Sequence, residues 1–202
     1  MIQNKKATSY TLVALSFLTL ASSAVSPVLA SVGEAYPDIP STMISLLTTI
    51  PSLLAIPMTL FCGQIAGKKV SYRVLTVCGL TCNLISGVAP FFTHNFYLLL
   101  LWRALFGCGT GILTPLIMPV MMSVFRGAEV HQQASLNAVF TNIGAVMFQM
   151  MGGVACARWG WQATFLIYVV VFPALLIVIR FMPEPPALTD EEKNKKIPLS
   201  MF

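Results

Sequence analysis

The sequence predicts an all-α membrane protein with six transmembrane helices. The 202-residue chain is 56% hydrophobic and 9% charged, with a mean hydropathy of +0.80. About a quarter of the residues are charged in ordinary soluble domains. The apolar residues form six runs close to the roughly 20 residues that a helix needs to cross a bilayer. These runs are predicted at 8–30, 43–61, 74–92, 96–120, 133–157 and 164–182.

The first run follows a basic tail at 1–7 and is similar to a secretory signal, with Val28-Leu29-Ala30 before Ser31 as a cleavage-type sequence. Its apolar part is longer than the 7–15 residues of a signal core, and further runs follow it. We therefore predict a retained first helix.

The second run contains Pro51 and Pro57. Neighbouring helices and hydroxyl groups can bond the carbonyls that proline leaves free in a membrane helix. The prolines therefore indicate either a kinked helix lining a pathway or a packing kink. The third run ends at a tight loop with His94, a loop residue in our interpretation. Four aromatic residues around this loop are typical of an interfacial belt: Phe91, Phe92, Phe96 and Tyr97.

The fourth run carries a permanent charge, Arg103, with Gly107 and Gly111 on about the same helix face. A cation at the bilayer centre costs about 2.5–3.5 kcal/mol on translocon scales, so Arg103 should face protein or water. Small residues at four-residue spacing allow a neighbouring helix to approach closely. Two hypotheses remain for Arg103: a functional charge in a transport pathway, or a side chain that bonds nearby carbonyls and locks two helices together.

The fifth run places Asn142 and Gln149 on one face, seven residues apart. Their amides could bond a substrate or a partner helix. Gly144, Gly152 and Gly153 permit close packing nearby. After the sixth run, residues 183–202 become polar, and Thr189-Asp190-Glu191-Glu192 resembles a helix capping box, which predicts a short cytoplasmic helix.

The distribution of cations predicts the orientation. With the N-terminus inside, the inner segments would hold ten of the 12 Lys and Arg residues, the outer ones only Arg158, and the membrane Arg103. This is the positive-inside pattern, and we predict a multi-pass plasma-membrane protein with both termini cytoplasmic. The seven acids all lie in loops or at helix ends, so a coupling carboxylate would be Glu34 or lie outside this chain.

Other classes of partner are not indicated. The cations are not interleaved with aromatics on one segment, so we expect no nucleic-acid partner. The five cysteines have no C-x-x-C pair and no accompanying His or carboxylate, so we interpret them as small core residues and expect no metal or other cofactor. Ser26-Pro27-Val28-Leu29 and Thr114-Pro115-Leu116-Ile117 occupy similar places in the first and fourth helices, which suits a three-plus-three inverted repeat.

Taken together, these features resemble the N-terminal half of a major facilitator superfamily transporter, closest to bacterial drug:proton antiporter-like members. The loop motif G-x-L-A-D-R-x-G-R-K falls on 63–72, where Gly63, Ile65, Ala66 and Lys68 fit and Gly67 replaces the acid. The fourth-helix motif R-x-x-x-G-x-G matches Arg103, Gly107 and Gly109. The fifth-helix antiporter motif keeps its glycines at 144, 152 and 153 but has Phe148 and Gln149 in place of the central Gly-Pro, and Gly160-Trp161-Gln162 resembles the Gly-Trp-Arg that opens the sixth helix.

The resemblance implies secondary transport of a small solute, of drug/proton efflux type, by a truncated or half-length chain. It implies a gating role for the loop with Gly63, Ala66 and Lys68, a coupling role for Arg103, and a cavity between two six-helix halves that Asn142 and Gln149 would line. The partners would be the bilayer, the solute, and a second six-helix half or a second copy.

Two other functions fit the sequence. The first is a non-transporting membrane or assembly subunit, or an inactive fragment. The second is a six-helix intramembrane protease, since Leu84-Ile85-Ser86-Gly87 is similar to a G-x-S-G motif without its leading glycine. Neither His94 nor His131 lies within a run to act as the base, so the protease is the remoter alternative.

Overall fold

The computed structural model describes residues 2–19, 21–68 and 70–181, and in this part of the chain the secondary structure is helical, with one isolated β-bridge between Ala66 and Val70. Six stretches are long and apolar enough to cross a membrane. We number them spans 1 to 6: Thr8–Ala35, Ser41–Ile65, Tyr72–Phe92, Phe96–Val124, Ala128–Trp159 and Trp161–Arg180. The predicted all-α fold with six membrane helices is confirmed. The predicted capping box at 189–192 lies outside the described residues.

The helical spans begin at or before the predicted apolar runs, and spans 1, 2, 4 and 5 end beyond them. Spans 2 and 5 are single α-helices, Ser41–Ile65 and Ala128–Trp159. The other spans combine α-helical and 3₁₀ segments, with these bounds: Ile2–Thr19, Ala21–Val28 (3₁₀) and Leu29–Ala35; Tyr72–Val88 and Ala89–Phe92 (3₁₀); Phe96–Leu113, Thr114–Leu116 (3₁₀) and Ile117–Val124; Trp161–Val170 (3₁₀) and Val171–Phe181. Three of the four 3₁₀ segments contain a proline. Proline has no backbone N–H, so it cannot donate a hydrogen bond to the carbonyl four residues earlier, as an α-helix requires.

Spans 1 and 5 pack side by side in the same direction. At one end Lys5 Nζ lies 2.7 Å from Glu129 Oε2. Further along, Gly144 lies against the backbone of Phe17 and Gly152 against that of Ala24. Span 1 thus packs into the bundle, with Leu12 fully buried; retention of this helix stays a prediction.

Spans 2 and 4 form the second parallel pair, and spans 3 and 6 pack against each other in opposite directions. Gly87 of span 3 lies against Tyr168 of span 6 near one end, and Arg73 donates to the Ile179 carbonyl near the other. Exchanging spans 1, 2 and 3 for 4, 5 and 6 turns the 1–5 pair into the 4–2 pair and keeps the 3–6 pair. These pairings agree with a three-plus-three inverted repeat.

An aromatic cluster joins the ends of spans 1, 4 and 6 opposite to Lys5 and Arg73. The Tyr36 ring lies 5.5 Å from that of Phe96 and 5.8 Å from that of Trp161. Burial raises the pKa of the Tyr36 phenol, which therefore stays protonated and donates to the His94 carbonyl at 3.0 Å. The residues of the predicted interfacial belt differ in exposure. Phe92 and Tyr97 are exposed, whereas Phe96 is buried because it packs in this cluster.

Candidate functional site

Arg103 lies at the centre of the bundle and is fully buried. Its Nε donates to the Leu47 carbonyl of span 2 at 3.0 Å, and its two terminal nitrogens donate to the Tyr168 hydroxyl of span 6 at 3.2 Å and to the Ser22 carbonyl of span 1 at 3.3 Å. A guanidinium can make these contacts at once because its five N–H donors form a rigid planar fork. Arg103 therefore bonds three spans to span 4.

The Leu47 carbonyl is available to Arg103 because of Pro51. In an α-helix the carbonyl of residue 47 accepts from the N–H of residue 51, and proline has no N–H. An unpaired carbonyl is costly in a membrane. Arg103 thus provides the donor that span 2 lacks, and Pro51 provides one of the acceptors that a buried guanidinium needs.

The glycines of span 4 allow this contact. A Cβ on Gly107 would collide with the Pro51 backbone, and one on Gly111 would lie 2.6 Å from the Ala55 carbonyl oxygen. Gly109 faces the opposite way, against Asn83 of span 3. The three glycines therefore bring spans 2 and 3 to opposite sides of span 4, as the small-residue spacing indicated for Gly107 and Gly111.

Two aromatic residues complete the surroundings of Arg103, and the sequence reasoning missed both. The Arg103 guanidinium carbon lies 5.2 Å from the centre of the Phe106 ring, a cation–π distance. Phe106 and Tyr168 pack with ring centres 5.0 Å apart. Phe106 lies three residues after Arg103, a helical neighbour position that the sequence did offer as a signal. Tyr168 is in another span, so no local signal connects it to Arg103.

Asn142 and Gln149 lie apart from Arg103, on the outer face of span 5, where both side chains are exposed. Asn142 donates to the Ala138 carbonyl of its own helix at 2.8 Å. Spans 2 and 5 are the least buried: 17% and 22% of their most apolar stretches are buried, compared with 35% in span 6 and 44–50% in spans 1, 3 and 4. Asn142 and Gln149 thus belong to an open face of the bundle.

A buried polar seam between spans 1 and 5 was also missed. Ser9 donates to Gln133 Oε1 at 2.8 Å, and Gln133 Nε2 donates to Asn137 Oδ1 at 3.0 Å. Both amides are more than nine-tenths buried. The seam continues from the Lys5–Glu129 ion pair into the bundle. Amides spaced four residues apart on one helix face were the available signal.

The predicted gating residues lie at the end of span 2 and in the loop that follows it: Gly63 is in the last helical turn of span 2, and Ala66 and Lys68 are in the loop. Gly63 is exposed with open space around it, Ala66 is buried, and Lys68 is exposed. The loop is a tight turn in which the Gly67 N–H donates to the Val70 carbonyl at 2.9 Å. Gly67 has a φ of +72°, and a Cβ there would lie 2.7 Å from the Tyr72 ring. At the position where the family motif has an acid, this chain therefore packs an aromatic ring against a glycine.

The family model described as Major Facilitator Superfamily matches residues 11–201. The chain belongs to the major facilitator superfamily. Members of this superfamily are transporters, which agrees with the expectation of a non-enzymatic membrane protein.

A curated superfamily relative is the bacillibactin exporter of Bacillus subtilis (strain 168), which is 28% identical over 153 residues, covering 73% of this chain and 38% of the exporter. Two solved structures share the fold at 16–17% identity: a peptide transporter POT in complex with sulfate, with a TM-score of 0.75 over 96% of this chain and 42% of that one, and the proton:xylose symporter XylE, with 0.71 over 91% and 46%. The chain spans less than half the length of each of these proteins.

The surroundings of Ser86 do not resemble a serine protease site. Its hydroxyl donates to the Cys82 carbonyl of its own helix at 2.6 Å, and Gly87 beside it packs against Tyr168. His94 and His131 are exposed at opposite ends of the bundle. The described residues thus place no histidine beside Ser86.

Proposed function

We propose that this chain is a six-helix half of a secondary transporter that exports a small solute across the plasma membrane, with both termini cytoplasmic. The observation that carries the proposal is the superfamily match along nearly the whole chain, and the exporter among the relatives supports the outward direction. The substrate class we propose is a small amphipathic solute of the kind that drug/proton exporters handle.

The open faces of spans 2 and 5 support a partner. The face of span 5 exposes the amide side chains of Asn142 and Gln149, which suit a protein or aqueous neighbour better than lipid, and the chain spans 42% of the peptide transporter's length. We infer that a second six-helix half or a second copy of this chain covers these faces. Asn142 and Gln149 would then face the gap between the two halves, where solutes bind in this class of transporter.

Arg103 is the residue through which we expect coupling to act. A buried cation within a membrane span is costly, and such residues are characteristic of ion and substrate pathways. The spans contain no carboxylate near the middle of the membrane. Proton coupling would therefore use Glu34, which is exposed beside the aromatic cluster, or a carboxylate of the partner half.

Flux through purified protein tests the proposal. The full chain is reconstituted into liposomes loaded with ethidium, an amphipathic cation, and efflux is followed by fluorescence after a pH gradient is imposed. We expect gradient-dependent efflux that Arg103→Ala abolishes. Arg158→Ala removes an exposed arginine at the end of span 5 and should leave efflux unchanged. Equal efflux from empty-vector preparations and from the chain would contradict transport of this class.

The chain spans less than half the length of the transporters that it matches. This favours one second candidate, a membrane subunit that transports nothing alone. A folded, monodisperse protein without flux, which gains flux only when a second half is co-expressed, would support this function. Flux from the chain alone that depends on Arg103 would exclude it.

A further inference from the structure

Spans 2 and 4 pack in a constant register. Arg103 bonds Leu47, Gly107 lies against Pro51, and Gly111 lies against Ala55, so the residue numbers of each pair differ by 56. A constant difference at four-residue steps means that the two helices run parallel and in contact over at least two turns. Substitutions at one point of this contact can therefore be compared with substitutions at another.

A second carbonyl in this contact is released in the same way as that of Leu47. Pro115 follows Gly111 by four residues, so the Gly111 carbonyl has no N–H partner at the usual helical position. Thr59 of span 2 donates to this carbonyl from its hydroxyl at 3.1 Å. The two bonds are reciprocal: span 4 donates to a carbonyl released in span 2, and span 2 donates to one released in span 4.

We propose that these two bonds, Arg103 Nε to the Leu47 carbonyl and Thr59 Oγ1 to the Gly111 carbonyl, form a reciprocal latch that makes spans 2 and 4 one rigid unit. Each proline prevents its own helix from bonding the carbonyl, which leaves the acceptor for the neighbouring span. Thr59 and Arg103 are positioning residues in this latch.

The latch makes a specific claim about Thr59 and Pro115 that thermal unfolding in detergent can test. Thr59→Val should lower the Tm by about 2–4 °C, as expected for one lost bond in a chain of this size, and Thr59→Ser should restore it. Pro115→Ala supplies a backbone N–H to the Gly111 carbonyl. In that background Thr59→Val should therefore lower the Tm by less than half as much.

The matched control is Thr49, whose hydroxyl donates to the Ser45 carbonyl of its own helix at 3.0 Å. Thr49→Val removes the same chemical group from the same span, and its effect should be equal with and without Pro115→Ala. The other bond is tested in the same way: Arg103→Lys should lower the Tm less in a Pro51→Ala background than in a Pro57→Ala background.

Equal losses from Thr59→Val in the native and Pro115→Ala backgrounds would overturn the latch, because the carbonyl would then not depend on proline for its availability. These measurements need no substrate. A latch confirmed without flux, or flux without a latch, would therefore distinguish this inference from the proposed transport function.

Discussion

At the scale of single residues, Gly67 is where this chain departs most clearly from its family's loop motif. Its φ of +72° is a conformation that side chains with a Cβ rarely adopt, and the Tyr72 ring occupies the space beside it. The glycine and the ring depend on each other, and together they replace the acid of the motif. The loop is therefore held by packing and backbone bonds at this position.

Gly67→Ala should destabilise the protein by about 1–2 kcal/mol from the left-handed backbone alone, and by more because of contact with the Tyr72 ring. Adding Tyr72→Ala to Gly67→Ala should recover the stability lost through contact with the ring, but not the stability lost through the left-handed backbone. Gly63→Ala is the control, since Gly63 is helical and a Cβ there meets nothing within 4 Å; it should be neutral or stabilising. Chemical or thermal unfolding in detergent measures all three, and equal effects of Gly67→Ala and Gly63→Ala would contradict this explanation.

The sequence predicted part of the site at this scale. A charge inside an apolar run predicted that Arg103 faces protein or water rather than lipid, and the structure buries it among other spans. Both hypotheses for it remain: the geometry supports helix locking, and coupling stays a proposal. The bond to Leu47 could also have been predicted, because Pro51 identifies the released carbonyl four residues earlier. Tyr168 could not, since its approach to Arg103 depends on how span 6 packs against Gly87.

At the scale of helices, close packing depends on where each glycine faces rather than on how many a span contains. Gly107 and Gly152 lie against backbone atoms of neighbouring spans, whereas a Cβ on Gly153 would have its nearest neighbour at 4.0 Å, the Pro27 Cβ. The sequence grouped these glycines as one class of packing residue. Their different surroundings arise because adjacent residues on a helix point about 100° apart.

Gly107→Ala should therefore cost about 1–3 kcal/mol, the usual range for overpacking, since the rigid Pro51 backbone cannot move aside. Gly152→Ala should be similarly costly because the Ala24 backbone faces it. Gly153→Ala is the matched control in the same helix as Gly152 and should be neutral or slightly stabilising. Thermal unfolding in detergent compares the three; a loss at Gly153 as large as at Gly152 would show that glycine is required there for another reason.

At the scale of the whole molecule, the number of spans and their class followed from the number and length of the apolar runs, because a bilayer imposes both helix length and internal hydrogen bonding. The pairing of spans did not follow from it. Lipid-facing and protein-facing surfaces are both apolar, so hydropathy alone does not indicate that span 1 packs on span 5 and span 4 on span 2. Only the glycines and the buried polar groups indicate which spans pack together, and their contacts are known only from the folded structure.

The two ends of the bundle differ in charge, which makes the orientation testable. Lys5 meets Glu129 at one end, where Arg73 also lies against the end of span 6, while Arg158 lies at the end of span 5 nearer the aromatic cluster. The more basic end should be cytoplasmic, because positively charged loops are retained on that side during insertion. With this orientation, we expect the exposed Asp38, between spans 1 and 2, to lie outside the cell.

Cysteine labelling with a membrane-impermeant maleimide measures this directly. Asp38→Cys should react in intact cells, whereas Ala128→Cys, at the exposed start of span 5, should react only after the cells are permeabilised. The native cysteines lie in or beside the apolar spans, so the unmodified chain gives the background signal. The reverse pattern would place the basic end outside, and the gating role proposed for the loop with Lys68 would then have to be assigned to the opposite side of the membrane. The expected pattern would place that loop on the cytoplasmic side, where the positive-inside rule puts it.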